Sequence, residues 1–323
     1  MTSLSTQNPK GLIVAASGSN SGKTLITNAI LHLFSLHSKD DFGAYKCGPD
    51  YIDPTYLKMA SAKPAYNLDP WAMRPQTIKW LLCQHQYCII EGVTGLFDGA
   101  KNGAGSTASL AKLTGFPVIL VVSAKARAQS LAAEISGFCH FDPDICISGV
   151  ILNHVASFRH LTLIREALSF FETRLNHQKP LPPIIGAMAS ANELTLPSRH
   201  LGLVQAHESA HPNRFLNHLY QWATQSQNGS IALKHQVLKS LMRPLKMPKF
   251  DPLPLKLFEL PFMYHPTCRP LQKTTSSVSS SKPALKPHIA IASDQAFSFC
   301  YAHWLLLLTQ KQLENVIDLT FFS

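Results

Sequence analysis

The chain has 323 residues, 46% hydrophobic and 15% charged, with a formal charge of +10. This length accommodates two domains, or one large domain with an appendage, and the apolar fraction excludes a disordered chain. The scattered Lys and Arg, with no run of five, suit a small polyanion rather than nucleic acid, and no apolar run approaches the ~18 residues of a membrane span.

The polar start, Met1-Thr2-Ser3-Leu4-Ser5, lacks the apolar core of a secretory signal. The seven cysteines show no CxxC pair and read as reduced, mostly buried thiols, so a cytoplasmic location is expected. Gly11 to Ala16 is a short apolar run opening onto small residues, the mark of a buried parallel strand. Leu25, Ile26, Ala29, Ile30 and Leu33 recur at helical spacing behind it, which predicts a helix starting near Lys23. Further buried strands are expected over 43–46, 87–91, 117–122, 148–153 and 183–188. Helices are expected between several of them, over 76–83, 106–113, 130–138 and 160–174. This alternation implies an α/β fold with a doubly wound, mainly parallel sheet covered by helices on both faces.

After residue 243 the composition changes. Four prolines fall between Pro244 and Pro254, and Thr274 to Ser281 is a low-complexity tract, so 244–285 is expected to be a linker. A strand restarts at His288 to Ala292, followed by an expected helix over 297–310 and a strand over 316–321. Residues 286–323 are too few to bury both faces of a sheet, and read as the opening of a second domain after a first spanning 1–243.

Between the first strand and its helix lies Ser17-Gly18-Ser19-Asn20-Ser21-Gly22-Lys23-Thr24, a P-loop pattern in which Ser17 stands at the first glycine position. Small residues let the backbone N–H groups of Ser19, Asn20, Ser21 and Gly22 close around phosphates, and the helix N-terminus adds partial positive charge. Lys23 is expected to neutralise the β/γ oxygens of ATP, and the Thr24 hydroxyl to coordinate Mg²⁺. The competing reading is a Gly/Ser turn that happens to precede a lysine; the flanking strand and helix argue against it.

Mg²⁺ needs further oxygen ligands. Candidates sit at two strand ends: Asp53 in the segment from Lys46 to Pro54, and Glu91 in the segment from Glu91 to Gly99. Asp50 and Asp98 lie in the same two segments. In a doubly wound sheet the carboxyl ends of strands converge on the ligand crevice. The bland alternative makes Asp50 and Asp53 turn residues around Pro49 and Pro54, and Asp98-Gly99 an ordinary turn.

Four segments, Gly48 to Pro54, Asn67 to Trp71, Glu91 to Gly99 and Leu196 to Leu203, together resemble cobyrinic acid a,c-diamide synthases, from about residue 10 to the end of the chain. Dethiobiotin synthetase and cobyric acid synthase are broader relatives that share the P-loop fold but not this set. The resemblance implies a ligase of cobalamin biosynthesis that amidates the a and c carboxylates of cobyrinic or hydrogenobyrinic acid. ATP would convert each carboxylate to an acyl phosphate, which ammonia displaces. It also implies that Lys46 assists the phosphates, that Asp53 and Glu91 hold metal, and that Asp50 and Asp98 orient the substrate carboxylate or assist transfer. Asn153, at a strand end, is a candidate for adenine recognition and reads equally as a capping residue. Arg199 and His200 either meet the polycarboxylate substrate or anchor their loop.

The family carries a C-terminal, flavodoxin-like class I glutamine amidotransferase domain, whose nucleophilic Cys sits in a Gly-bracketed elbow. No Cys here has that context, and residues 286–323 resemble only the start of that domain, so glutaminase activity is expected to be absent. Cys300, next to Phe299 and Tyr301, reads as a buried core residue. Ammonia would then be free, or come from glutamine through a separate glutaminase chain. A homodimer remains open as an assembly. Two rivals stand beside the ligase: an inactive truncated remnant or split-gene subunit, and a partition-type ATPase switch. The latter class carries a Lys where Gly18 stands here, which ranks it last.

Overall fold

The computed structural model describes residues 8–174, 180–190, 194, 198–199, 202–203, 212–226, 230–248, 288–292 and 318–322, the segments 198–199, 202–203, 288–292 and 318–322 by backbone alone. The chain divides into two units, 1–247 and 248–323.

Strand β1 (Lys10–Ala16) lies at the middle of the sheet in the first unit, and Leu12, Ile13 and Val14 on it have no exposed surface. A run apolar on both faces can only be satisfied between two layers of helix, and burying each such side chain contributes about 1.5–3 kcal/mol. Helix α1 (Lys23–His37) follows and buries Ile26, Ile30, Leu33 and Phe34. After it come β2 (Phe42–Cys47), α2 (Asp53–Ser61), β3 (Ala65–Leu68), α3 (Pro75–Leu82) and β4 (Tyr87–Glu91). Then follow α4 (Thr107–Thr114), β5 (Val118–Ser123), α5 (Ser130–Phe141), β6 (Ile147–Val155), α6 (Phe158–Arg174) and β7 (Ile184–Ala189). Helices α7 (Pro212–Thr224) and α8 (His235–Leu241) complete the unit, and α1 packs against both as well as against α2.

The strands run in the order β3-β2-β4-β1-β5-β6-β7, all parallel, with Arg243–Pro244 pairing antiparallel to the start of β1. This is a doubly wound P-loop α/β fold. Its register sets one row of residues across neighbouring strands: Asn67 opposite Lys46, Lys46 opposite Glu91, and Glu91 opposite Val14. The row ends at the carboxyl edge of the sheet, where the loop after β1 begins.

Two elements beside this edge have no counterpart among the expected ones. Helix α2 begins on Asp53-Pro54, where the proline's fixed φ and missing N–H suit the first turn, and it buries Tyr56, Leu57 and Ala60. Strand β3 is only four residues long and carries Asn67, so its periodicity is too short to read. The first unit runs on to Met247, past the composition change at 243, because Leu245 and Met247 are buried and Leu245 N donates to Pro9 O.

In the second unit the described backbone consists of two strands, His288–Ala292 and Asp318–Phe322, paired in parallel. Parallel pairing requires a crossover between them; the helix expected over 297–310 lies outside the described residues. Among the described residues no helix is long and apolar enough to cross a membrane.

Candidate active site

Chain leaves the buried β1 at Ala16 and turns back into α1 within six residues. Ser17 N donates to Val121 O at 3.1 Å and the Ser21 hydroxyl to Gly18 O at 2.8 Å, which folds the segment into a loop around its own N–H groups. Gly22 has φ 86°, a left-handed conformation, and a Cβ there would run into the Asn153 amide. No side chain caps α1, and no acidic residue lies in its first turn. The first N–H groups of a helix have no partner within it. Here they are left for an anion, and the helix dipole favours negative charge at the same point.

Lys23 reaches across to the loop after β4, where its Nζ donates to Thr94 O at 2.8 Å. Thr94 itself has φ 44°, a strained conformation for a β-branched residue. Burial, helped by the Lys46 ammonium, lowers the Lys23 pKa from 10.5 to about 8.

The second feature is a buried ionic cluster on the row set by the register. Lys46, 2% exposed, donates to Asp53, to Glu91 Oε1 at 3.1 Å and to Gly92 O at 3.1 Å, and lies 3.7 Å from Asp50. Burial alone would lower its pKa, but the carboxylates of Glu91, Asp53 and Asp50 outweigh burial and raise it, so the ammonium stays charged. Asp53 and Asp50 are both raised. Burial is the main cause in each case, followed by the neighbouring carboxylate, Glu91 for Asp53 and Asp53 for Asp50. Three carboxylates, those of Asp50, Asp53 and Glu91, thus face one buried ammonium.

Glu91 offers the clearest test of a cation site. Its Oε1 accepts from the Thr24 hydroxyl at 2.6 Å, while its Oε2 is buried without a hydrogen-bond partner among the described residues. Because the Thr24 proton is committed to Glu91, the lone pairs of the hydroxyl oxygen remain for a cation. A hard divalent ion fits an all-oxygen donor set of this kind. Mg²⁺ takes one or two carboxylates and draws the rest of its ligands from phosphate and water.

The remaining candidates are placed as follows. Ser19 and Asn20 lie on the exposed turn of the phosphate loop, and Asn20 has φ 62°. Asp98 stands apart from Lys46 in the described hydrogen bonds: its Oδ2 accepts from Gly95 N at 3.1 Å, and it lines a groove beside Ser17. Asp50 also accepts from the N–H groups of Ile52 and Asp53, at 2.8 and 3.0 Å, so it shapes the turn as well as facing Lys46. Asn153 braces the phosphate loop through its amide nitrogen, which donates to Ser21 O at 3.0 Å, while its amide oxygen accepts from the neighbouring His154 N at 2.9 Å. Arg199 is described by backbone alone, and His200 lies outside the described residues. Cys47, in the same strand as Lys46, has its thiol pushed up to about 12 by burial, which makes it inert.

Sequence reasoning assigned no role to Asn67, although it falls in a quoted segment. Its amide donates to Gly48 O at 3.0 Å and Asp50 O at 2.7 Å, tying β3 to the acidic loop. Thr107 was missed as well: it bonds both Val93 N and Val93 O, fixing the loop that offers Thr94 to Lys23.

No protein-family model matches the chain. Curated relatives do. The hydrogenobyrinate a,c-diamide synthase of Brucella anthropi is 37% identical over 324 residues, covering 97% of this chain and 63% of the relative. That of Agrobacterium fabrum is 34% identical, covering 91% and 59%. The cobyrinate a,c-diamide synthase of Dehalococcoides mccartyi is 33% identical, covering 90% and 56%. The chain thus spans less than two thirds of the length of these relatives. Among solved structures, a ParA-family ATPase from Chlorobium tepidum aligns over 66% of this chain and 98% of its own at 10% identity and a TM-score of 0.40, too loose a likeness to carry function.

Proposed function

Since the chain belongs by sequence to the cobyrinate and hydrogenobyrinate a,c-diamide synthase family, we propose that it performs ATP-dependent amidation of corrin carboxylates through acyl phosphates. The observation that carries this reading is the joining of phosphate loop and acidic cluster through one hydrogen bond, Thr24 to Glu91, beside a free carboxylate oxygen.

A carboxylate resists direct attack by ammonia, because its charge repels the nucleophile and oxide is a poor leaving group. Activation solves both problems. A substrate carboxylate oxygen attacks the γ-phosphorus, the bond from phosphorus to the β–γ bridging oxygen breaks, and ADP departs. Ammonia then adds to the acyl carbon, the bond to the phosphate oxygen breaks, and loss of one proton leaves the amide and inorganic phosphate. The α1 N-terminus and Lys23 hold the β/γ oxygens and offset the charge that accumulates on the leaving ADP. Lys46, fixed by Asp53 and Glu91, keeps a positive charge at the end of β2 where the phosphoryl group transfers. Thr24 and Glu91, with Asp53 nearby, would hold Mg²⁺, which would neutralise phosphate charge and polarise the γ-phosphoryl group.

The test is an incubation of the purified chain with ATP, Mg²⁺, ammonium and cobyrinic or hydrogenobyrinic acid, read by ADP release and by mass spectrometry of the corrin. Supplying ammonium makes the assay independent of any glutaminase. ADP and diamide formed together are the expected result; the absence of both overturns the reading.

A further inference from the structure

Beside the phosphate loop lies a groove of about 380 Å³ whose wall is mainly apolar. Phe97 enters it from the loop after β4, and Phe138 and Phe141 from α5. The Phe97 ring centroid stands 5.5 Å from that of Phe138 and 4.6 Å from that of Phe141, so the three form one aromatic shelf. Phe141 is 74% exposed. Exposed aromatic clusters of this size beside polar groups mark ligand sites.

Two residues lining the groove belong to the candidate active site. Ser17 opens the phosphate loop, and Asp98 follows the strand that ends at Glu91. A molecule lodged against the shelf therefore touches the segment that would hold the transferring phosphoryl group. The charged Glu134 on the wall is neutralised by its ion pair with Arg127. Open space remains at Gly137, where an added Cβ would meet nothing within 4 Å.

We infer that this groove receives the apolar ring face of the macrocyclic polycarboxylate substrate, with Phe97, Phe138 and Phe141 as specificity-determining residues. The inference rests on the amidation reading above. A corrin ring carries alkyl groups and conjugated double bonds on its body and confines its charge to side arms, so it needs an uncharged shelf with cations at the rim. Lys101, three residues after Asp98, and Lys125, in the loop before α5, are exposed lysines on the two chain segments that carry the shelf. A second copy of this chain would also cover the shelf, but nothing in that contact would require the shelf to share Ser17 and Asp98 with the phosphate site.

The test titrates cobyrinic acid into the parent chain, Gly137→Leu and Phe141→Ala, read by the change in corrin absorbance, with Mg-ATP affinity and sedimentation measured on the same proteins. Gly137→Leu fills open space and should weaken corrin binding by about tenfold or more, with Mg-ATP affinity unchanged. Phe141→Ala removes an exposed ring and should weaken corrin binding by about fivefold. Corrin affinity equal to the parent's in both variants overturns the inference, and so does a change confined to self-association. If the parent binds and amidates the corrin while the variants match it, only the groove assignment falls. If the parent neither binds nor amidates it, the functional reading falls too.

Discussion

Lys46 is buried and Lys23 partly so, yet the pKa values of the two ammonium groups shift in opposite directions. Lys46 is surrounded by carboxylates that hold its proton, whereas Lys23 has a carbonyl for its described hydrogen-bond partner and a second ammonium nearby. A pKa lowered to about 8 means that the proton on Lys23 is fully present well below that pH and is lost as pH rises through it. Phosphate binding favours the charged form, so above that pH binding must take up a proton. Mg-ATP affinity should be flat up to about pH 7 and should fall about tenfold per pH unit beyond about pH 9. Calorimetry across that range checks this, and an affinity that stays level to about pH 10 would show that Lys23 does not meet the phosphates.

Elements at the sheet edge depend on one another through β3. Asn67 ties that strand to Gly48 and Asp50, so the short strand holds the acidic loop in place. Asn67→Ala leaves two backbone carbonyls without their donor and should cost about 1–3 kcal/mol in urea denaturation. Turnover should fall while Mg-ATP affinity holds, because the described hydrogen bonds of the Asn67 side chain go to Gly48 and Asp50 and none goes to the phosphate loop or α1. Unchanged stability and turnover in this variant would remove Asn67 from the site. The central strands β1, β4 and β5 are legible as continuous apolar runs, and α1 by its spacing, because burial on both faces leaves an unmistakable pattern. Helix α2 and strand β3 are not legible, since a proline start and a four-residue strand carry no periodicity. The same limit applies to the site. Glu91 stands out at a strand end and Asp53 in the segment that follows another, whereas Lys46 gains its role through the family resemblance; Phe97 and Phe141 lie far apart in sequence and meet only through the fold.

At the scale of the whole molecule, the parallel sheet places the phosphate loop at its centre, the acidic loop of β4 directly beside it and that of β2 one strand further out. The surplus of positive charge is spread over the chain, which suits attraction of both ATP and a polycarboxylate. Every chemical step proposed here needs the ATP phosphates to lie against Lys23 and the start of α1. The most direct test is therefore Mg-ATP affinity, measured by calorimetry for the parent and for Lys23→Ala. Loss of a charge-assisted contact should weaken binding by about 1.5–3 kcal/mol, or ten- to more than a hundredfold. Equal affinity in the two proteins would contradict the account, because ATP would then sit somewhere other than the loop on which it is built.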